Sequence, residues 1–456
     1  MRSLAIVGAM SILLGAPLPL LAVDDTPPEA GAFVPTGSLT TGRNDHTATP
    51  LMDGRVLIAG GGDKEARATA EVWDPETGRF EPAGALVKAR KSHTATRLSD
   101  GRVLLVGGSR ATAKTEIWDP ATSTSEASGR LIKGRNSHTA TLLDDGRVLV
   151  VGGWVRPEWL RSAEVWDPAT GSFTSTGPLA KARIGHTATL LPDGRVLVIG
   201  GHGADRYEAD AAGNLLYPEE PRALAEVWDP DTDAFTPAGS LDHARSQHTA
   251  TLLDDGRVLV TEGWGLDSDP AQAEIWAPST SSFTPAGWLI DTERFGTATA
   301  LQDGRVLVVD RTAAELWDSS LAAFIPAGSL GTERWPHSAT LLDDGRVLVV
   351  GGRGRRARAS AEVWEPRPLT DAQARELAEE SLDCGELRDS LRREGTTGDR
   401  ERDEEYLDRC LTCEELYRAF QFMLIADLEL FATVYRERCD ADFGLLPGMT
   451  EPADGD

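Results

Sequence analysis

The sequence predicts an all-β propeller of seven blades, and three observations predict it. The first is a period. The tripeptide Gly-Arg-Val opens a short apolar run seven times, with its Arg at 55, 102, 147, 195, 257, 305 and 346, in steps of 47, 45, 48, 62, 48 and 41 residues. A period of roughly 40–50 residues made only of short strand-like runs is the signature of propeller blades. The second is the content of each period: HTATLLDDGRVLVVGG at 138–153, then AEVWDP at 163–168, then FTSTGPL at 173–179. The third is an unpartnered FVPTGSL at 33–39, ahead of the first full repeat, while the last repeat stops at Glu365-Pro366 after its third strand. The N-terminal piece therefore supplies the missing outer strand of the last blade, joining the ends of the ring.

Taken in chain order, the first element is not part of the fold. Arg2, the apolar stretch at 4–22 and the acidic DDTPPEA at 24–30 read as a secretory signal peptide over 1–22, cut near Ala22, with a linker over 23–32. An uncleaved anchor is the alternative; after cleavage no membrane span is expected. The protein is then secreted, periplasmic or held at the cell surface. The net charge of −26 argues against a nucleic-acid partner, which requires a basic stripe.

The propeller spans 33–366. In each repeat the first strand is rich in Thr and Ala, as suits the crowded axis. An Asp-Gly turn (53–54 in the first copy, 344–345 in the last) leads to a second strand that is apolar on both faces, as expected of a sheet packed between neighbours. The third strand carries Trp73, Trp118, Trp166, Trp228, Trp276, Trp317 and Trp364, and the F-x-P-A-G-S-L type segment forms the outer edge.

The Gly-Gly pairs (60–61, 107–108, 152–153, 200–201, 351–352), the aromatic residues after them and the Arg before each repeat resemble kelch repeats. The wording H-T-A-T-L-L-x-D-G-R-V-L resembles the kelch-type propeller of the galactose oxidase family over about 33–366. TEG at 261–263 and VVD at 308–310 depart from the Gly-Gly pattern. That family resemblance implies copper held by Tyr and His, with one Tyr cross-linked to a Cys. The propeller has no Cys, and its two tyrosines, Tyr207 and Tyr217, share one insertion, so a copper radical oxidase is not expected and no cofactor is assigned.

Three polar positions recur in register. His46, His93, His138, His186, His248 and His337 open the first strand, with Thr297 aligned to them in the sixth copy. Arg43, Arg90, Arg135, Arg183, Arg245, Arg294 and Arg334 precede them by three residues, and Glu71, Glu116, Glu164, Glu226, Glu274, Glu315 and Glu362 precede the repeat Trp by two. A metal ring would hold the histidines too far apart for one ion. The expected arrangement is structural: Arg paired with Glu, and His bonded to backbone, once per blade.

Function on such a frame should lie in what does not repeat. Loops from second to third strand, and from fourth strand to the next first strand, emerge on one face. Trp154, Trp159, Trp264, Trp288 and Trp335 lie in or beside them, with His202 opening the insertion at 202–224 and Arg353, Arg355, Arg356 and Arg358 in the seventh blade. Aromatics with Arg suit stacking on sugar rings or anchoring a peptide. Trp154, Trp159, His202, Trp264, Trp335 and Arg353 are the candidate binding residues of a non-catalytic scaffold for protein or glycan. The alternative is a kelch-type sugar mutarotase, with Glu262 and His202 as acid and base.

After Pro368 the pattern turns helical, with Thr370 as N-cap before DAQARELAEESL. The tail, 367–456, carries 24 Asp plus Glu against 11 Arg and no Lys. It holds all four cysteines, Cys384, Cys410, Cys413 and Cys439, which read as two disulfides with three connectivities open; a four-thiolate zinc site is the alternative. If 413–439 is one helix, its end cysteines lie roughly 39 Å apart, favouring Cys384–Cys439 with Cys410–Cys413. A break near Ala426-Asp427 reopens the other pairings.

Overall fold

The computed structural model describes residues 29–203, 208–209, 215–216, 221–265, 272–290 and 296–378. Seven four-stranded antiparallel sheets follow one another, at 44–90, 94–130, 139–175, 187–240, 249–288, 297–329 and 338–366. The seventh is completed by Gly31–Ser38, which pairs antiparallel with Ser360–Pro366 so that Phe33 faces Trp364. The ring is thus closed by the strand that the unpartnered N-terminal segment announced. First strands touch the first strands of both neighbouring blades, which places them innermost.

Each blade follows from its residues. Second strands such as Val148–Val151 and Val347–Val350 are buried at every position, because both sheet faces pack on a neighbouring blade. The Asp-Gly turns hold Gly at φ between +81° and +87° in all seven copies, a region that a side chain enters only with strain. The repeat tryptophans are 0–1 % exposed. Most of their indole N–H groups reach back one blade: Trp118 donates to the Ala83 carbonyl (3.0 Å) and Trp276 to Ala238 (2.9 Å), so each ring fills a seam and pins it. There is accordingly no single core. One seam cluster, for example, joins Leu149, Val151 and Val165 of blade 3 to Val196, Val198 and Trp228 of blade 4.

Thr370 caps a helix over 371–378 through a reciprocal box, its Oγ1 accepting from Gln373 N (3.3 Å) while Gln373 Oε1 accepts from Thr370 N (3.0 Å). Leu377 and Ala378 are buried in the cluster that contains Leu330 and Trp364, so the tail begins docked on the propeller. The segment expected to be a signal peptide, 1–22, and Cys384, Cys410, Cys413 and Cys439 lie outside the described residues.

The antiparallel order divides the connections. The Asp-Gly-Arg turns and the third-to-fourth turns share one face, here the turn face. The second-to-third and blade-to-blade connections share the other, the loop face.

Candidate functional site: the loop face and channel mouth

Beneath the loop face lies a repeated frame. Arg43, Arg90, Arg135, Arg183, Arg245 and Arg334 each pair, while buried, with the third-strand Glu of their own blade, as in Arg135–Glu164 and Arg183–Glu226 at 2.5 Å. The guanidinium also donates to the carbonyl at the end of the second strand, for example Arg135 Nη1 to Gly152 O at 2.7 Å. The second carboxylate oxygen accepts from the connection entering the blade, as from Ile132 N (2.7 Å). The tie expected between Arg and Glu is therefore present in six blades; Arg294 of the sixth blade lies outside the described residues. Burial holds the Arg43, Arg90, Arg135 and Arg334 guanidiniums below their usual range, opposed by their Glu partners.

The backbone bond expected of the histidines is made by His337 alone, the Nδ1 of His46, His93, His138, His186 and His248 being buried without a hydrogen-bond partner among the described residues. His337 Nδ1 donates to the Arg334 carbonyl (3.1 Å), but every Nε2 reaches a hydroxyl of the preceding blade. The pairs are His93–Thr47, His138–Thr94, His186–Thr139, His248–Thr187, His337–Thr297 and His46–Ser338, at 2.9–3.2 Å. Five of the six imidazoles, all but His337, also lie against the first Gly of a Gly-Gly pair: a Cβ on Gly60 would sit 2.8 Å from His93 Cε1. Burial, then the neighbouring Arg, pushes His46, His93, His186 and His248 down to about 3 and His337 to about 4, so these rings are neutral at physiological pH.

This chain of contacts is interrupted at the seam between blades 5 and 6. Strand register corrects the sequence alignment there. Thr297 pairs with Val309 as Thr249 pairs with Thr261, and it meets His337 as the other threonines meet their histidines. The residue at the histidine position is Gly296. Facing it, Glu262 stands where other blades carry the first Gly, at φ +59°, a left-handed conformation that costs roughly 1–2 kcal/mol for a residue with a Cβ. Its Oε2 accepts from Gly296 N (2.6 Å), and a Cβ on Gly296 would fall 2.2 Å from Oε1. The carboxylate occupies the volume of the missing imidazole. Thr249, lacking a histidine to meet, bonds instead to Thr261 (2.6 Å), which replaces the apolar residue of the other blades.

Above this frame, the residue after each Gly-Gly position varies among the blades: Gly62, Ser109, Trp154, His202, Trp264, Thr312 and Arg353. Trp154 bridges Asn136, His202 bridges Ile184, Trp264 bridges Ser246 and Arg353 bridges Trp335, so four of the candidate residues occupy one equivalent position around the mouth. The structure brings them together in pairs. His202 packs against Trp264 (centroids 5.2 Å apart) and its Nδ1 meets Ser246 Oγ at 2.6 Å. Arg353 lies over the Trp335 ring at 5.4 Å. Trp159 forms a two-residue hairpin with Trp154 but is only 8 % exposed, filling the blade rather than presenting itself. Trp288 ends an outer strand.

A cavity of about 390 Å³ opens at the mouth, lined by Trp335 and Arg353 together with Asn44, Asp45, Gln247, Gly296, Pro336 and His337. Of these, only Trp335 and Arg353 were singled out from the sequence. The signal for the rest was position: Asp45, Ser92, Ser137, Gly185 and Gln247 each precede the histidine in a left-handed conformation (φ +51° to +61°) that turns the chain into the mouth.

A family described as Kelch motif matches residues 135–179, the third blade. Among solved structures, a fungal alcohol oxidase of the AA5 family, in complex with copper, is similar with a TM-score of 0.61 and 18 % identity, covering 74 % of this chain and 77 % of that one. No curated protein matches the chain. The likeness is one of fold. Among the described residues no group of three or more His, Cys, Asp or Glu is placed to hold a metal, and the blade histidines spend Nε2 on neighbouring hydroxyls, so this donor set does not fit copper.

Proposed function

We propose that the chain is an exported, non-catalytic recognition scaffold that binds a protein or glycan through the loop face of its propeller. One observation carries the reading. On a repeated frame, the residue after the Gly pair varies among the blades, and Arg353 at that position joins Trp335 in lining a cavity large enough for a sugar unit or a side chain. Partly exposed Trp154 and Trp264, and the stacked Trp335–Arg353 pair, supply the rigid aromatic and Arg anchors that recognition surfaces favour.

The mutarotase alternative draws no support from the geometry. His202 turns to Ser246 and Trp264 at the seam of blades 4 and 5, whereas Glu262 turns to Gly296 at the next seam. The test is a mixed glycan and peptide array probed with the full chain and with a Trp264→Ala/Arg353→Ala variant. A ligand lost by the variant, at unchanged thermal midpoint, supports the reading. A ligand retained at full strength, or turnover of an aldose, overturns it.

A further inference from the structure

All six lysines of the chain, Lys64, Lys88, Lys91, Lys114, Lys133 and Lys181, fall on the loop face of the first four blades. Their setting differs from that of the turn-face cations. Each of the seven Gly-Arg-Val arginines is neutralised by the Asp two residues before it, as in Arg147–Asp145 at 2.6 Å. On the loop face, Lys133 pairs with Glu158 and Lys91 reaches Asp45 only at 3.8 Å. Lys64, Lys88 and Lys114 are exposed and make no ion pair among the described residues, and exposed Arg110 and Arg156 extend the same arc. On a protein of net charge −26, this local field acts within about 8 Å of the surface at physiological salt.

Two apolar tips stand within the arc. Val87 (57 % exposed) and Ile132 (62 %) lie next to Lys88 and Lys133 on adjacent blade-to-blade connections. The equivalent position is Thr40, Ala180, Asp242, Ile290 and Gly331 elsewhere, so the frame does not demand aliphatic side chains there, and Ile290, the one large aliphatic residue outside the arc, is less exposed than Val87 or Ile132. Nor are the tips loose: Val87 N donates to Glu116 (2.5 Å) and Ile132 N to Glu164 (2.7 Å), fixing their backbone to the buried Arg–Glu ties. Rigid aliphatic anchors beside Lys88, which makes no ion pair among the described residues, and Lys133, which pairs with Glu158 at the exposed rim, match the apolar core and charged rim of a protein interface. A polysaccharide would use the charges and leave the aliphatic tips idle.

We infer that the loop face of blades 1–4 docks an acidic protein partner, with Val87 and Ile132 as apolar anchors and the lysines as its charge complement. This rests on the recognition reading above and selects its protein arm. The test measures binding of the full chain to poly(Glu,Tyr), poly-Glu, polygalacturonate and phosphatidylglycerol vesicles. Poly(Glu,Tyr) should bind best and weaken as salt rises. Lys88→Glu/Lys133→Glu should weaken it by about tenfold or more, while Val87→Ser/Ile132→Ser should weaken poly(Glu,Tyr) but leave poly-Glu unchanged. Unchanged thermal midpoints certify folding of these surface variants. The inference is overturned if both variants bind like the parent, or if polygalacturonate or vesicles bind and the acidic copolymers do not. An array ligand that depends on Trp264 and Arg353 but ignores the lysine variants would sink this inference and leave the recognition reading intact.

Discussion

The turn face and the loop face are opposite ends of the same seven repeats. On the turn face every blade presents an Asp-Gly-Arg hairpin with the same glycine conformation and the same local Asp–Arg pair. On the loop face, the residue after the Gly pair varies, with only Trp154 and Trp264 alike, and the lysines gather on one side of the ring. Selection for closure explains the first: a ring of seven shuts only if the blades are nearly equal wedges. Variation on the second is tolerated because the buried Arg–Glu tie, just beneath it, fixes where each loop begins and ends. The frame absorbs the geometric demand and leaves the loops free to differ.

That contrast is tested most strongly by breaking a tie. Arg90→Met leaves Glu116 buried without its cation and should cost about 3–5 kcal/mol in denaturant unfolding, whereas Arg147→Ala, removing an exposed turn-face pair, should cost less than about 0.5 kcal/mol. Equal effects would remove the distinction between frame and surface.

The next test uses pH. Burial holds His46, His93, His186, His248 and His337 at about 3–4 and His138 well below the 6.5 of the free side chain, so the unfolded chain takes up protons first as pH falls. Their contribution is complete above about pH 6.5 and is lost progressively towards pH 3–4, each histidine steepening the fall by up to about 1.4 kcal/mol per pH unit. The turn-face aspartates, lowered from 3.8 by their Arg neighbours, lose their contribution only at more acidic pH. Unfolding free energy measured from pH 7 to 4 should therefore decline, and less steeply in His138→Gln. A flat profile would mean that the histidines are protonated in the native ring.

The smallest expected effect sharpens the comparison within the frame itself. At the blade 5–6 seam, Gly296→His alone should destabilise, because its Cβ meets the Glu262 carboxylate. Combined with Glu262→Gly, which restores the arrangement of the other seams, the loss should be recovered with a coupling of about 1 kcal/mol or more in a double-mutant cycle. Additive effects would show that the two substitutions are unrelated.

Much of this was readable before any coordinates. The seven tryptophans, the Asp-Gly turns and the closing strand at 31–38 are local or periodic signals, and each repetition confirms the others. The Arg–Glu tie was legible for the same reason. The identity of the sixth-blade histidine position was not. The stretch from Arg294 to Thr297 is one residue shorter than its counterparts, so counting from the arginine aligned Thr297 where strand pairing places Gly296. Trp159 resembled Trp154 in sequence and proved buried, because it packs close to Gly203 of the next blade, a neighbour that only the tertiary fold supplies.

By itself the sequence determined the blade, its number of copies and the way the ring shuts, since each follows from short-range pattern and from the apolar burial that the pattern enforces. Tertiary structure alone decided which residues of different blades share a seam or a cavity. It exchanged a histidine for the Glu262–Gly296 pair across one seam and set Asp45, Gln247 and Arg353 around one mouth. The physical reason is closure: periodicity specifies a blade's neighbours along the chain, whereas the angle at which wedges meet specifies its neighbours in space.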